Sequence, residues 1–545
     1  MRPDKARRAG SLVLVLLGAL LGFGASCHHR GRRNIPRGAP GPTLRIYYLV
    51  DLDGYLEPCG CQTRPLGGID RLARLLESQR AEAPRSVLVS VGNLFFAEPR
   101  LDPRMVYQEQ AKADALRAIL GDLRLAAFAP GPADFALGAD GFGRLTRGLA
   151  ARPVAANAGL ARTYVHTAGG LRVAFIGVTD FRPAEGDAPP GAPSASDPVE
   201  AARGAVEAVR RQGVHAVVVL ASVPRRTARL LAQVPGTDFV IAAREEGNAA
   251  LPPERIGTAY LLTAPNQGKF LGVLDLSVRP GSGPFRDRSA TTLAADVARL
   301  DGRIADLRQR IEAWTRDPTT DAQALAAQRQ RLATMERERL TLSGSGSPRS
   351  ARSFEARALE IGPELPREPA VERTIGAYFR AVNEHNRAEY ATLRAPEAPA
   401  GTARYLGIEA CRDCHEEAYD VWARTPHSHA YRTLDELFKN FNLSCVGCHV
   451  TGYQRPGGSE VVQNDGLRDV QCESCHGPGS LHVEARTAAL RRSTIRLDAP
   501  ASLCAGECHT PEHSDHFDYS TYLPRILGPG HGRPMSEATD AGTRD

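Results

Sequence analysis

Histidine and cysteine are scarce through most of this 545-residue sequence, and that scarcity already excludes several readings. Between residues 43 and about 280 the only histidines are His166 and His215, few imidazoles from which to build a metal centre. Of eleven cysteines, Cys27 stands alone, Cys59 and Cys61 are one residue apart, and eight crowd between 411 and 508. That crowding excludes a disulfide framework spread along the chain. No run reaches the ~20 apolar residues that a membrane helix needs. Dense Lys/Arg blocks are absent outside "RGRRNIPR", so a formal charge of +6 does not imply a nucleic-acid partner. Residues 1–26 carry four of the basic side chains and one of the acidic, which leaves +3 for the remainder. The length calls for three or so domains.

At the N-terminus "MRPDKARRAG" is a basic n-region and "SLVLVLLGALLGFGA" an apolar h-region of secretory-signal length, residues 1–26. Cys27 in "GASC" stands where a bacterial lipoprotein is cleaved and acylated, although Gly24 sits where such boxes carry Leu. An ordinary cleavage site and an uncleaved anchor are the alternatives. The expectation is an exported protein of the periplasm or cell envelope, lipid-anchored through Cys27, with a Gly/Pro-rich tether over 27–42.

From 43 to 283 short apolar runs alternate with helical patterns. "LRIYYLV", "SVLVSVG", "RLAAFAP", "LRVAFIGV", "HAVVVLAS", "DFVIAA" and "FLGVLDLSV" read as strands, with helices at 69–82, 104–121, 197–212 and 223–233. This alternation predicts an α/β domain with a largely buried sheet. In 290–342, Leu293, Val297, Leu300, Ile304, Leu307, Ile311 and Trp314 form a heptad seam. "RDPTTD" breaks it before a second helix bearing Leu325, Leu332, Met335 and Leu342. The two helices are expected to form a hairpin packed on itself, with dimerisation through the seam as the alternative. Residues 343–404 read as linker with one helix near 368–391. Residues 405–535 form a small domain with little periodicity, and 536–545 a tail. So weakly patterned a domain needs something other than an apolar core.

That something is visible in "CRDCH" (411–415), "CVGCH" (445–449) and "CESCH" (472–476), followed by "CAGECH" (504–509). C-x-x-C-H is the signature of c-type haem attachment. Two thiols one short turn apart bond the porphyrin's vinyl groups, and the adjacent imidazole is held below the iron. Cys411, Cys414, Cys445, Cys448, Cys472, Cys475, Cys504 and Cys508 would hold four haems, with His415, His449, His476 and His509 as proximal ligands. "CAGECH" is the fourth site, with one extra residue in its loop. A zinc site or a redox dithiol is the reading for a lone C-x-x-C, and three copies each followed by His weigh against it. Histidines outside the motifs are the distal candidates. His427 or His429, His482 and His531 are favoured over His513 and His516, and His385 lies just upstream.

The stretches "YLGIEACRDCHEEAYDVWARTPHSHAYRTL", "CVGCHVTGYQRPGG" and "VQCESCHGPGSLHV" resemble the tetrahaem cytochromes of the c-554 type, over about 405–531. The resemblance implies a mostly helical and irregular domain with closely stacked haem pairs, electron transfer and a periplasmic or membrane redox partner. It also implies that one iron can lack a distal ligand. Eight ionised haem propionates would take the charge from +3 to about −5.

Residues 43 to about 280 resemble the calcineurin-like metallophosphoesterases of the 5'-nucleotidase branch, in "LVDLDGYLEPCGC", "GGIDRLARLLES", "VLVSVGNLFF", "PGPADFALG" and "NQGKFLGVLDLSV". The resemblance implies a four-layer sandwich in which five short motifs hold two metals. Here D-x-H is Asp51-x-Asp53, G-D is Gly92-Asn93, and G-N-H-[ED] is Gly131-Pro132-Ala133-Asp134. The strand-end His is Ser222, and G-H-x-H falls at "AAREE". No divalent metal is therefore expected, and the domain reads as a non-catalytic platform. A single hard cation on Asp51, Asp53 and Asn93 is the alternative. Cys59 and Cys61, in "EPCGC", could form a strained disulfide, ligate a metal or stay free.

Overall fold

A computed structural model describes residues 44–58, 64–181, 191–243, 252–278, 283–316, 322–343, 352–510, 514 and 517–532. Cys27, Cys59, Cys61, His513 and His516 lie outside the described residues. So do residues 244–246 of the "AAREE" run.

Among the described residues thirteen strands form two mixed sheets. The first contains β1 (Leu44–Val50), β2 (Ser86–Gly92), β3 (Leu125–Pro130), β4 (Arg152–Pro153), β11 (Phe270–Val278), β12 (Arg286–Asp287) and β13 (Arg352–Glu360). Its order is β12-β13-β11-β1-β2-β3-β4. The second contains β5 (Thr163–Ala168), β6 (Leu171–Thr179), β7 (Ala216–Ser222), β8 (Phe239–Ala242), β9 (Glu254–Ile256) and β10 (Ala259–Leu262), in the order β5-β6-β7-β8-β10-β9. Every residue of β1 and β7 is buried. Such strands need cover on both faces, and the two periodicities of β1 show what covers them. Leu44, Ile46, Tyr48 and Val50 point between the sheets, against Val218 and Ile241. Tyr47 and Leu49 point outward into helices.

Those outer helices are α1 (Ile69–Glu82), α2 (Val106–Asp122) and α3 (Gly138–Thr146). On the far face α4 (Pro198–Arg211) and α5 (Arg225–Ala232) cover β6, β7 and β8. The result is the expected four-layer α/β/β/α sandwich. Helix starts follow local chemistry: Asp197 accepts from the amides of Val199 and Glu200 (2.9 and 2.8 Å), with Pro198 at the first helical position.

Helices α6 (Ala290–Arg316) and α7 (Ala322–Ser343) form the expected hairpin. Leu300, Ile304 and Leu307 pack on Met335, with Ile311 and Leu332 beside them, so the seam meets its own partner helix.

The interval 343–404 differs from the expected linker with one helix. Strand β13 pairs antiparallel with β11 over nine residue pairs, from Phe270↔Glu360 to Val278↔Arg352, and places Phe354 and Ala356 between the sheets. Its sequence, "RSFEARALE", alternates charge with small apolar residues, which hides a strand when no long apolar run is present. The expected helix, α8 (Pro369–Glu389), buries Val371, Ile375, Tyr378 and Val382 among the same outer residues as α1 and α2. The sandwich is therefore completed by chain that follows the hairpin.

After α8 the chain is short helices and turns. The apolar cluster among the described residues there is Tyr431, Val446 and Val450, with Tyr453 half-buried beside them.

Candidate functional site

Each of the first three cysteine motifs sits in a short helical turn: Glu409–Arg412, Val446–His449 and Cys472–His476. In the first, the His415 amide donates to the Cys411 carbonyl (3.0 Å). In "CAGECH" the His509 amide donates to the Cys504 carbonyl (2.8 Å), so the extra residue widens the turn but keeps the same closure. The motifs adjoin in a definite order. Cys411 adjoins Cys472, and Cys448, whose thiol lies 3.5 Å from the Glu507 carbonyl, adjoins Cys508. Cys475 lies near enough to Cys504 to be influenced by its charge. The first motif thus adjoins the third, the third the fourth, and the fourth the second.

Three motif imidazoles each face one imidazole from outside the motifs. His415 faces His482 with ring centroids 6.0 Å apart and planes at 28°. His476 faces His531 at 6.4 Å and 18°, and His509 faces His427 at 6.3 Å and 52°. Two imidazoles bound across one metal, at about 2.0–2.1 Å per bond, have centroids roughly 6 Å apart. The ring pairs therefore fit an iron between them. Backbone acceptors fix the tautomers. The Nδ1 atoms of His449, His476 and His482 lie 2.6, 2.7 and 2.9 Å from the carbonyls of Ala430, Arg496 and Arg491. An Nδ1–H donated there leaves Nε2 as the free ligand. Burial lowers the pKa of His415, His427, His509 and His531, and His415, His427 and His531 are held down also by neighbouring imidazoles. Each is thus kept in the neutral form that binds metal. A domain with so small an apolar cluster, and with eight free cysteines among its described residues, fits covalent macrocycles in place of a core.

Of the favoured distal candidates, His427, His482 and His531 are brought to motif rings. His429 is not; its Nδ1 meets Ser428 Oγ (3.3 Å). His385 stacks on Tyr107 (3.4 Å, 14°), and no motif ring is paired with it among the described residues. Among the described residues no ring faces His449.

Sequence reasoning missed Glu473, inside "CESCH". It is 2% exposed. Its carboxylate accepts from the amides of Leu406 (3.0 Å), Gly407 (2.8 Å) and Gly479 (2.7 Å). It ties the third motif to the segment entering the first and to the turn before His482. Nothing in the spacing distinguishes that position from a solvated one.

In the sandwich Asp51, Asn93, Asp134 and Ser222 lie at the C-terminal ends of β1, β2, β3 and β7. Asp51 Oδ1 accepts from the Asn93 amide (3.0 Å), and Asn93 Oδ1 from the Ala133 amide (3.1 Å). Asp134 is fully buried and accepts from the amides of Leu94, Phe95 and Gly131 (2.9, 2.8 and 3.1 Å). Burial pushes Asp134 up to about 7, and burial together with the nearby Asp51 carboxylate pushes Asp53 up to about 8. Ser222 Oγ is buried without a hydrogen-bond partner. Among the described residues no group of three or more His, Cys, Asp or Glu is placed to hold a metal ion.

Comparison with solved structures finds a 5'-nucleotidase precursor of Thermus thermophilus, at TM-score 0.44 and 18% identity, covering 67% of this chain and 62% of that one. It also finds the calcineurin-like phosphoesterase YfkN of Bacillus subtilis, at TM-score 0.38 and 18% identity, covering 45% and 88%. Among curated proteins, cytochrome c-554 of Nitrosomonas europaea is 32% identical over 104 residues, 16% of this chain and 44% of that protein. The chain thus spans under half the length of that relative. Residues 410–477 match the family model described as cytochrome c554 and c-prime, which makes this region a relative of c-type cytochromes and implies c-type haems.

Proposed function

We propose that this chain is an exported four-haem cytochrome c that passes single electrons, carried on a sandwich domain that no longer hydrolyses phosphoesters. The observation that carries the reading is the set of three imidazole pairs at 6.0–6.4 Å, each joining a motif histidine to one outside the motifs. His415 with His482, His476 with His531, and His509 with His427 would be the imidazole pairs that hold three of the haem irons. The contacts between motifs would lead electrons from the first site through the third and fourth to the second. The haems supply the one-electron chemistry; the protein's residues hold the imidazoles neutral, fix their tautomers and exclude water.

Export rests on the basic and apolar N-terminal stretches, and attachment to a bacterial membrane on Cys27. Among the described residues no helix is long and apolar enough to cross a membrane. The partner would be a periplasmic or membrane redox protein, and a dimer through the α6–α7 hairpin belongs to the same proposal. A haem count with electron paramagnetic resonance of the oxidised protein tests the core of it. Four haems per chain with at least three low-spin bis-imidazole signals are expected; two or fewer haems would overturn it. One observation favours a second reading. His449 is the motif histidine that no described ring faces. An open iron there would make the chain an oxidoreductase for a small nitrogen or oxygen species, and a high-spin signal that changes when such a ligand is added would distinguish it.

A further inference from the structure

The sandwich domain touches the haem region at one place in particular, the six residues leading into "CVGCH". Gln108 of α2 is 2% exposed and Asn386 of α8 is 1% exposed, an unusual depth for two carboxamides. Gln108 Oε1 accepts from the Leu443 amide (3.0 Å), and its Nε2 donates to Ser444 Oγ (3.0 Å). Asn386 Nδ2 donates to the Phe441 carbonyl (2.8 Å), while the Phe441 amide donates to Asn383 Oδ1 (3.0 Å). Tyr378, also on α8, lies beside Asn442 and near Cys445. Asn442 in turn starts the motif's turn: its carbonyl accepts from the amides of Cys445 (3.0 Å) and Val446 (2.9 Å), and its Oδ1 from that of Ser444 (2.9 Å).

A second strut comes from the loop after β1. The chain that carries Asp51 and Asp53 continues to Glu57, which pairs with Lys439 Nζ (2.8 Å) as that ammonium lies 4.1 Å from the Phe379 ring centroid. The loop that in the resembling hydrolases opens the metal site here ends against the approach to Cys445.

We infer that the sandwich domain is the positioning frame of the second haem site. Gln108, Asn383, Asn386 and Tyr378 fix the start of the turn bearing Cys445, Cys448 and His449, and Glu57 locks the chain entering it. Gln108 is the central positioning residue, because it bonds both the backbone and a side chain of the two residues before Cys445. A buried polar network of this kind specifies one geometry when complete and loosens it when broken. This rests on the reading that Cys445, Cys448 and His449 hold a haem.

The test is spectroelectrochemical titration of the full-length, haem-loaded protein. The midpoint that disappears in a Cys445→Ser/Cys448→Ser double variant identifies the second haem. Gln108→Leu is expected to move that midpoint downward, because a loosened loop admits water, which favours the more highly charged oxidised iron. Glu57→Gln, a milder change that carries the test if Gln108→Leu does not load, is expected to move it less in the same direction. The other three midpoints stay in place in both variants. Asp197→Ala, which weakens the far layer of the sandwich without touching the interface, leaves all four unmoved. Four unmoved midpoints in the Gln108 and Glu57 variants, or four that move together, would overturn the inference. A double cysteine variant that keeps its full haem count overturns the underlying haem reading instead, a separately recognisable result.

Discussion

Two carboxylates, the buried Glu473 and the half-buried Asp53, show how the same chemical group takes opposite roles. Glu473 receives three backbone N–H donors at 2.7–3.0 Å, and its removal strands them in a buried junction. Glu473→Ala is expected to destabilise the haem region by about 2–4 kcal/mol, with Glu473→Gln costing less because one acceptor oxygen remains. Thermal melts followed in the Soret band measure this, and a change under ~0.5 kcal/mol would show the junction to be ornamental. Asp53 has fewer partners for its charge. Burial first, then the Asp51 carboxylate, raise it to about 8 from an ordinary 3.8. A carboxyl that binds its proton more tightly folded than unfolded contributes most below pH 4, and that contribution is lost as pH rises through 8. Asp53→Asn, neutral throughout, should match the wild type at pH 4 and exceed its stability at pH 8 by about 1–3 kcal/mol. A variant that melts lower than wild type at pH 8, where added divalent cation stabilises the wild type, would mean that Asp53 is ionised around a cation.

At the scale of elements, sequence pattern is readable where a long apolar run is buried on both faces, and it is lost in short strands such as β10, buried throughout but only four residues long, and where charge interrupts the run. Every run named as a strand from 44 to 278 forms one, because burial on two faces demands continuous apolar residues. Strand β13 escaped, since only Phe354 and Ala356 of its nine residues face the sandwich interior. The histidine motifs were legible because covalent chemistry fixes their spacing. The pairing of distal rings was not: His482, His427 and His531 meet their motif rings across 67, 82 and 55 residues of chain, and folding alone sets those meetings. Strand β13 is nonetheless structural. Phe354 is 1% exposed and packs on Phe239 (5.0 Å) and Tyr260 (4.6 Å). Phe354→Ala should cost about 3–5 kcal/mol in urea unfolding followed by far-ultraviolet circular dichroism. A cost under about 1 kcal/mol would return 352–360 to the status of a linker laid on the surface.

For the whole molecule, the proposed move of chemistry from one end of the chain to the other has a physical basis in what the polar atoms at the strand ends are occupied with. A two-metal centre needs several anionic or imidazole ligands free to converge at about 3.5–4 Å metal spacing. Asp51 Oδ1, Asn93 Oδ1 and both oxygens of Asp134 instead accept backbone amides that brace the strand ends. Asn93 cannot supply the bridging charge that an aspartate would, and Ser222 offers a hydroxyl where an imidazole would be needed. Replacing hydrogen-bonded braces with metal bonds would cost the sandwich the contacts that now order its loops, including the loop that reaches Lys439. Elemental analysis of the purified holoprotein is therefore expected to give four irons per chain with no stoichiometric zinc, manganese or calcium. Phosphodiester and nucleotide substrates should show no turnover above the buffer rate, with or without added Mn²⁺. One tightly held divalent ion per chain that survives chelation, together with turnover abolished by Asp51→Asn, would establish a rebuilt hydrolytic centre and make this a two-activity protein.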